Sequence, residues 1–254
     1  MNTNIERRKK RSRFTFLLLF SLLFSGSSIK NKKEIHFNEH FTFDEFKSII
    51  EIKANALAEK ETLEIDTVSI YLNPSIQTWN SYANQLGTEA EYMNKIAELM
   101  YAKLQQYQFI DVEANLNYLS LSNSVKQSNQ KKRDIHLALH SNAGGGSGIE
   151  TYQKKADGFG QFLQGHFADT LPFPSRGVKD GNHLYEIKNA TADHVALMEI
   201  LFHDRLEEAN YIVNHHEEIA TELTNTLVLY VVNNYAKSEA KPHFFSSMTS
   251  KNFS

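Results

Sequence analysis

The chain has 254 residues and carries 27 Lys and Arg against 30 Asp and Glu, a net charge of −3 with neutral histidines. The length suits one domain of moderate size with extensions, and 41% apolar residues is ordinary for a globular protein. There is no cysteine, which excludes a disulfide scaffold, a thiolate metal site and a cysteine nucleophile.

The N-terminus has the pattern of an export signal. A basic block at 7–13 is followed by an apolar stretch from Phe14 to Phe24 and by small residues at 25–28. The apolar stretch is shorter than the ~20 residues that span a bilayer. We therefore predict a signal peptide over residues 1–27 and a secreted or cell-envelope protein. Retention as an uncleaved anchor is the alternative, because no alanine precedes the cut, and we expect membrane contact only through this segment.

Charge disfavours nucleic acid as a partner. Without residues 1–27, which hold six basic residues and one acidic residue, the chain keeps 21 Lys and Arg against 29 Asp and Glu, a net charge of −8. We divide this acidic remainder into an N-terminal extension (28–66), a main folded domain (67–234) and a disordered tail (235–254).

Within that domain, apolar runs alternate with helical patterns. A Thr88-x-x-Glu91 capping box opens the first helix. We predict strands over 68–72, 109–114, 134–140, 148–153, 184–187 and 195–200, with helices over 88–104, 118–127, 158–171 and 207–233 and a turn over 172–177. This alternation predicts an α/β fold in a single domain, with a largely parallel sheet and helices on both faces.

Two strand ends carry groups suited to chemistry. His140 ends an apolar strand directly before Ser141-Asn142-Ala143 and three glycines, and Glu199 lies inside the apolar run 195–202. A buried carboxylate is costly unless something pairs with it. The pair predicts a metal or acid/base site at the sheet edge where open α/β sheets bind ligands. The alternative for His140 is a core histidine bonded to a backbone carbonyl.

The histidine string 135–143, Arg176-Gly177-Val178-Lys179, and Ala196 to Phe202 with Glu207-Glu208-Ala209 resemble the zinc-dependent N-acetylmuramoyl-L-alanine amidases. The resemblance covers about 68–233 and implies a cell-wall hydrolase that cuts the amide between N-acetylmuramic acid and the L-alanine of the stem peptide. Peptidoglycan or muropeptides are then the partner, and one zinc ion is the cofactor. Carried over by position, His140 and the helix-opening Glu91 are zinc ligands, and Glu199 is the catalytic carboxylate. Glu91 is chosen over Glu89 because the residues that follow it match the family: Asn94, Ile96 and Ala97. The alternative for Glu91 is a helix cap.

One departure from the family stands out. Where the family has Asp-Pro-Gly-His-Gly after the first strand, this chain has Asn73-Pro74-Ser75-Ile76-Gln77, so isoleucine replaces the first zinc-ligand histidine. Three explanations remain open: Gln77 coordinates weakly through its amide oxygen, His203 or His183 fills the place in space, or the site holds no catalytic zinc.

The remaining polar groups extend the same hypothesis. We expect Asn142 and His203 to contact substrate, with the backbone of 144–146 as a candidate oxyanion donor or a plain connection. His136 shares a strand face with His140 but lies ~13 Å along it, too far for one ion, so we expect a structural role. A non-catalytic peptidoglycan-binding or regulatory protein on a degenerate amidase fold is the alternative function, and a zinc peptidase a third.

Overall fold

The structure is a computed structural model that describes residues 65–236, of which 66–235 form one compact unit. The predicted signal peptide, nearly all of the predicted extension and all but two residues of the predicted tail lie outside the described part. Within 65–236, no helix is both long and apolar enough to cross a membrane.

One six-stranded sheet forms the centre of the domain. Its strands are β1 (Val68–Pro74), β2 (Ile110–Ala114), β3 (Ile135–Asn142), β4 (Ile149–Gln153), β5 (Ser175–Asp180) and β6 (His194–Phe202), in the spatial order β2-β1-β3-β6-β4-β5. All neighbouring strands run parallel except β4 and β6, which are antiparallel. The predicted α/β class with a largely parallel sheet is confirmed.

Within residues 65–236, five α-helices accompany the sheet: α1 (Glu89–Leu104), α2 (Leu121–Asn129), α3 (Phe159–Ala168), α4 (Tyr185–Asn189) and α5 (Leu206–Tyr235). Helix α1 packs against α5, and α2 contacts α4. The last helix is interrupted at His215, whose φ of −126° is not helical. The helices bury apolar side chains against the sheet. One cluster lies where α4 and the residues after it meet β3 and β6: Ala138, Ile187, Ala190, Ala192, Val195 and Leu197.

Helix α1 forms for the reasons that its sequence suggests. The Thr88 side chain accepts a hydrogen bond from the Glu91 backbone N–H at 3.2 Å, which caps the first turn. The apolar residues that recur at helical spacing are all buried: Met93, Ile96, Ala97, Met100 and Leu104. The cap fixes where the helix starts, and therefore which residues open it.

Two predicted elements between 172 and 190 are wrong. The segment predicted as a turn contains the start of β5, which gains its partners by pairing with β4 at the sheet edge. The predicted strand 184–187 is instead the beginning of α4, which buries Glu186 and Ile187. Short segments carry too little periodicity to distinguish strand from helix, so tertiary contacts decide them.

The register of the sheet brings the site together. His140 on β3 is aligned with Glu199 on β6, and Glu199 is aligned in turn with Glu150 on β4. Strand β1 runs parallel to β3 and ends beside it, with Pro74 opposite Leu139. The segment that follows β1 therefore lies next to His140, at the edge where parallel strands present their ligands.

Candidate active site

A carboxylate and an imidazole face each other at the centre of the site. Glu89, the first residue of α1, is 1% exposed, and its Oε1 lies 2.9 Å from Nδ1 of His140. Burial disfavours charge on His140, but Glu186 and Glu89 outweigh that effect and raise the pKa of the imidazole to about 10. Burial raises the pKa of Glu89, but its contacts with His140 and Asn80 outweigh that effect and hold the pKa below the ordinary value.

Gln77 completes a triangle with these two groups. Its Nε2 lies 3.3 Å from Glu89 Oε1 and 3.3 Å from His140 Nδ1. Asn80 fixes the amide from behind, since its Nδ2 donates to Gln77 Oε1 at 3.0 Å and to Glu89 Oε2 at 2.7 Å. The residue predicted to replace the missing histidine is therefore in contact with both neighbouring groups.

The donor set partly matches a metal site. No three His, Asp or Glu residues within 65–236 are grouped so as to hold a metal ion. Counting the Gln77 amide, however, three polar atoms stand 2.9–3.3 Å apart, and ligands at ~2.0–2.1 Å from a tetrahedral zinc lie ~3.3 Å apart. Glu89 and His140 already present atoms that ligate metals. The Gln77 amide presents its nitrogen to them, so it would supply a third ligand only after its oxygen turns inward, a rotation that Asn80 opposes.

Glu199 lies one strand away from His140 on β6. Its Oε2 is buried and has no hydrogen-bond partner in the part of the chain that the structure describes. Burial raises the pKa of Glu199 to about 7, against the attraction of His140. A carboxyl group that titrates near neutral pH is suited to accept and return a proton.

A cationic pair stands on the other side of Glu199. Glu150 is 2% exposed and accepts from Arg176 Nε at 2.6 Å, from Lys179 Nζ at 2.5 Å and from Asn142 Nδ2 at 2.8 Å. Burial raises its pKa, but Lys179 and Arg176 outweigh that effect and lower it to about 2. The Arg176 guanidinium lies over the Phe202 ring, 4.9 Å from its centre. Glu150 thereby holds two half-exposed cations beside Glu199.

Two predicted site residues are placed elsewhere. Glu91 is exposed on α1 and its carboxylate pairs with Lys95 at 2.7 Å, so Glu89 and not Glu91 faces His140. His203 is 4% exposed, stacks on Tyr82 and has its Nδ1 within 2.8 Å of the Ser141 carbonyl oxygen. His203 is therefore already engaged by Tyr82 and Ser141, which does not favour a contact with substrate or the place of the missing histidine.

The glycine loop at 144–146 connects β3 to β4, and its backbone groups are engaged within the protein. The backbone N–H groups of Gly144 and Gly145 both donate to Asp204 Oδ2, at 2.7 and 2.8 Å, which leaves them unable to serve as the predicted oxyanion donors. Gly146 lies against Phe202, where a Cβ atom would come within 2.3 Å of the ring. His183, the other candidate for the missing ligand, is exposed and contacts Tyr152 edge to face.

His136 is buried and hydrogen-bonded, as a structural role requires. Its Nδ1 lies 2.8 Å from the Ser128 hydroxyl, and its Nε2 donates to Glu186 Oε1 at 2.8 Å. Ser128, His136 and Glu186 are hydrogen-bonded in the same sequence as a nucleophilic catalytic triad. They cannot act as one, because all three are at most 3% exposed and no substrate can approach the hydroxyl.

Comparison with known proteins settles the family. The N-acetylmuramoyl-L-alanine amidase family matches residues 79–228, more than half of the chain. The chain belongs to the N-acetylmuramoyl-L-alanine amidase family. The match begins just after Gln77, so it does not include the segment in which the first histidine is missing. No curated protein matches the amidase chain in sequence.

Solved structures share the fold of this amidase family member. An N-acetylmuramoyl-L-alanine amidase from Clostridium difficile 630 is 20% identical over 66% of this chain and 99% of its own, with a TM-score of 0.57. The catalytic domain of CwlV, from Bacillus (Paenibacillus) polymyxa var. colistinus, is 17% identical over 65% and 98%, with a TM-score of 0.59. The N-acetylmuramoyl-L-alanine amidase AmiC2 of Nostoc punctiforme is 12% identical over 66% of this chain and 99% of its own, with a TM-score of 0.58.

Sequence reasoning chose Glu91 over Glu89 and missed Glu186. Glu89 precedes Met93 by four residues and so belongs to the buried face of α1, whereas Glu91 is four residues from the exposed Lys95. That spacing was the available signal. Nothing in the sequence around Glu186 distinguishes it, because its position follows from the packing of α4 on the sheet.

Proposed function

We propose that this chain is an exported, metal-dependent amidase that hydrolyses the amide between N-acetylmuramic acid and the L-alanine of the peptidoglycan stem peptide. Membership of the family supports amide hydrolysis on peptidoglycan. The observation that carries the metal-dependent part is the triangle formed by Gln77, Glu89 and His140, one strand away from the buried carboxyl group of Glu199.

His140, Glu89 and the Gln77 amide would hold the cation. A divalent cation lowers the pKa of water and polarises a carbonyl group, which is the activation that a neutral amide needs. Zinc is our choice of cation from the family resemblance, and an amide in place of imidazole gives a weaker site than two histidines and a carboxylate. Because His140 holds a proton in the metal-free state, the cation has to displace that proton.

Glu199 is the proton carrier in this proposal. Its unpartnered Oε2 accepts a proton from the attacking water, and the same group returns the proton to the leaving amine of L-alanine. With a pKa raised to about 7, it is partly ionised at neutral pH, so both transfers are accessible.

The other groups orient the substrate. Arg176 and Lys179 are half-exposed beside Glu199, and after neutralisation by Glu150 they retain one net positive charge. A carboxylate of the stem peptide fits that charge. Asn142 is held by Glu150 and is partly exposed at the end of β3. We propose that its side-chain amide hydrogen-bonds the substrate.

The proposal of export rests on the sequence of residues 1–27. N-terminal sequencing of the protein from its own cells should find a start near Ser28 or a membrane-bound chain.

The deciding experiment measures release of free stem peptide from purified muropeptides by the full chain, after chelation and after addition of zinc. We expect release of stem peptide only with added metal. In titration calorimetry, Gln77→His should bind zinc more tightly than the wild type. A wild-type chain that binds peptidoglycan but releases no stem peptide at any zinc concentration would support the non-catalytic alternative.

A further inference from the structure

Glu186 occupies an unusual place for a charged side chain. It lies on the short helix α4, is 3% exposed, and reaches the buried face of the sheet between two histidines. Its Oε1 accepts from His136 Nε2 at 2.8 Å, and its Oε2 lies 3.9 Å from His140 Nε2. One carboxylate thus faces both imidazoles of β3, although they are four residues apart along the strand.

The carboxylate is held in this position from more than one side. Asn73, at the end of β1, donates its Nδ2 to Glu186 Oε1, and Asn115 donates in turn to Asn73 Oδ1 at 3.0 Å. His136 is itself fixed by Ser128. Removing a carboxylate from water is costly without such partners, so the network that satisfies Oε1 also determines where Oε2 points.

The two nitrogens of His140 therefore face different groups. Nε2 faces Glu186, while Nδ1 faces Glu89 and Gln77. A carboxylate behind a ligating imidazole fixes the orientation of the ring and makes it a stronger donor, and loss of such a partner weakens metal affinity by about 10–100-fold.

We infer that Glu186 is a positioning residue for His140: it holds the ring with Nδ1 toward Glu89 and Gln77 and strengthens the binding of a divalent cation there. This inference rests on the proposed metal-dependent function. A buried negative charge directly behind the remaining imidazole would offset part of the affinity lost with the missing histidine.

The test is titration calorimetry of zinc alone into the chelator-stripped full chain. Glu186→Gln, which keeps the shape and the hydrogen bonds but removes the charge, should weaken the dissociation constant at least about tenfold. Glu186→Asp, which keeps the charge and moves it away from His140, should fall between the wild type and Glu186→Gln. Glu91→Gln is the matched control, since Glu91 is exposed on α1 and pairs with Lys95; its affinity should equal that of the wild type.

Thermal unfolding of the metal-free variants separates positioning from structure. A purely structural Glu186 would lower the melting temperature of Glu186→Gln yet leave zinc affinity at the wild-type value, and that result would overturn the inference. If Glu186→Gln does not fold, an unchanged affinity in Glu186→Asp would overturn it equally. A wild-type chain that binds no zinc would instead overturn the proposed metal-dependent function, and this inference with it.

Discussion

Nδ1 of His140 lies 2.9 Å from Oε1 of Glu89, which joins the end of β3 to the beginning of α1. Glu186 stands behind the ring, with its Oε2 3.9 Å from Nε2 of His140. The contact between His140 and Glu89 joins two side-chain types that commonly ligate metals, and it lies beside Gln77 and one strand from Glu199. The site therefore forms only when five segments of the chain have folded together: the end of β1, the start of α1, the end of β3, α4 and β6.

Glu199→Gln tests the proton carrier. The amide retains the volume of the side chain but cannot accept the proton, so we expect stem-peptide release from muropeptides to fall by about 10² or more. Circular dichroism and zinc titration should show a folded chain with wild-type metal affinity. Full activity in this variant would exclude Glu199 from catalysis.

The two acidic residues that open α1 should behave differently. Glu89→Gln removes a buried carboxylate in contact with His140 and should weaken zinc binding at least about tenfold, whereas Glu91→Gln removes an exposed pair with Lys95. Parallel zinc titrations of both variants measure the difference. The reverse result would return the ligand role to Glu91.

Glu150 should make the fold sensitive to acid. Its pKa is lowered from 4.5 to about 2 by Lys179 and Arg176 against the effect of burial, so its contribution is present above pH 4.5 and is lost as the pH falls towards 2. The lowering corresponds to at most about 3 kcal/mol of folding free energy at neutral pH, and solvent screening of the two half-exposed cations reduces it. Urea unfolding from pH 6 to pH 3 should show a steeper loss of stability for the wild type than for Glu150→Gln, and parallel curves would contradict the assignment.

Gly146 should not tolerate a side chain. A Cβ atom would come within 2.3 Å of the Phe202 ring, so Gly146→Ala should destabilise the fold by about 1–3 kcal/mol. Gly165, inside α3, has open space where a Cβ atom would lie, with no described neighbour within 4 Å, and Gly165→Ala should instead stabilise by up to about 1 kcal/mol. Denaturant unfolding of the two variants should show a lower free energy of unfolding for Gly146→Ala and a higher one for Gly165→Ala than for the wild type.

Much of the fold can be predicted from patterns among residues that are close together in the sequence. Apolar runs with sharp ends predicted the central strands, and the Thr88 cap with its 3.6-residue repeat predicted α1, because both patterns depend on residues close together along the chain. His140 and Glu199 are identifiable for the same reason, since a polar group at the end of an apolar strand or inside one is unusual and can be seen in a single sequence.

The composition of the site was decided by tertiary structure. Glu89 and Glu91 are both acidic and both open α1, and only the direction in which the helix packs distinguishes the buried carboxylate from the exposed one. Glu186 reaches His140 because α4 packs on the sheet, which no local pattern near residue 186 encodes. The sequence by itself determined which chemical groups are available, but burial and distance, which arise only when segments far apart in the chain are packed together, determined which of them meet.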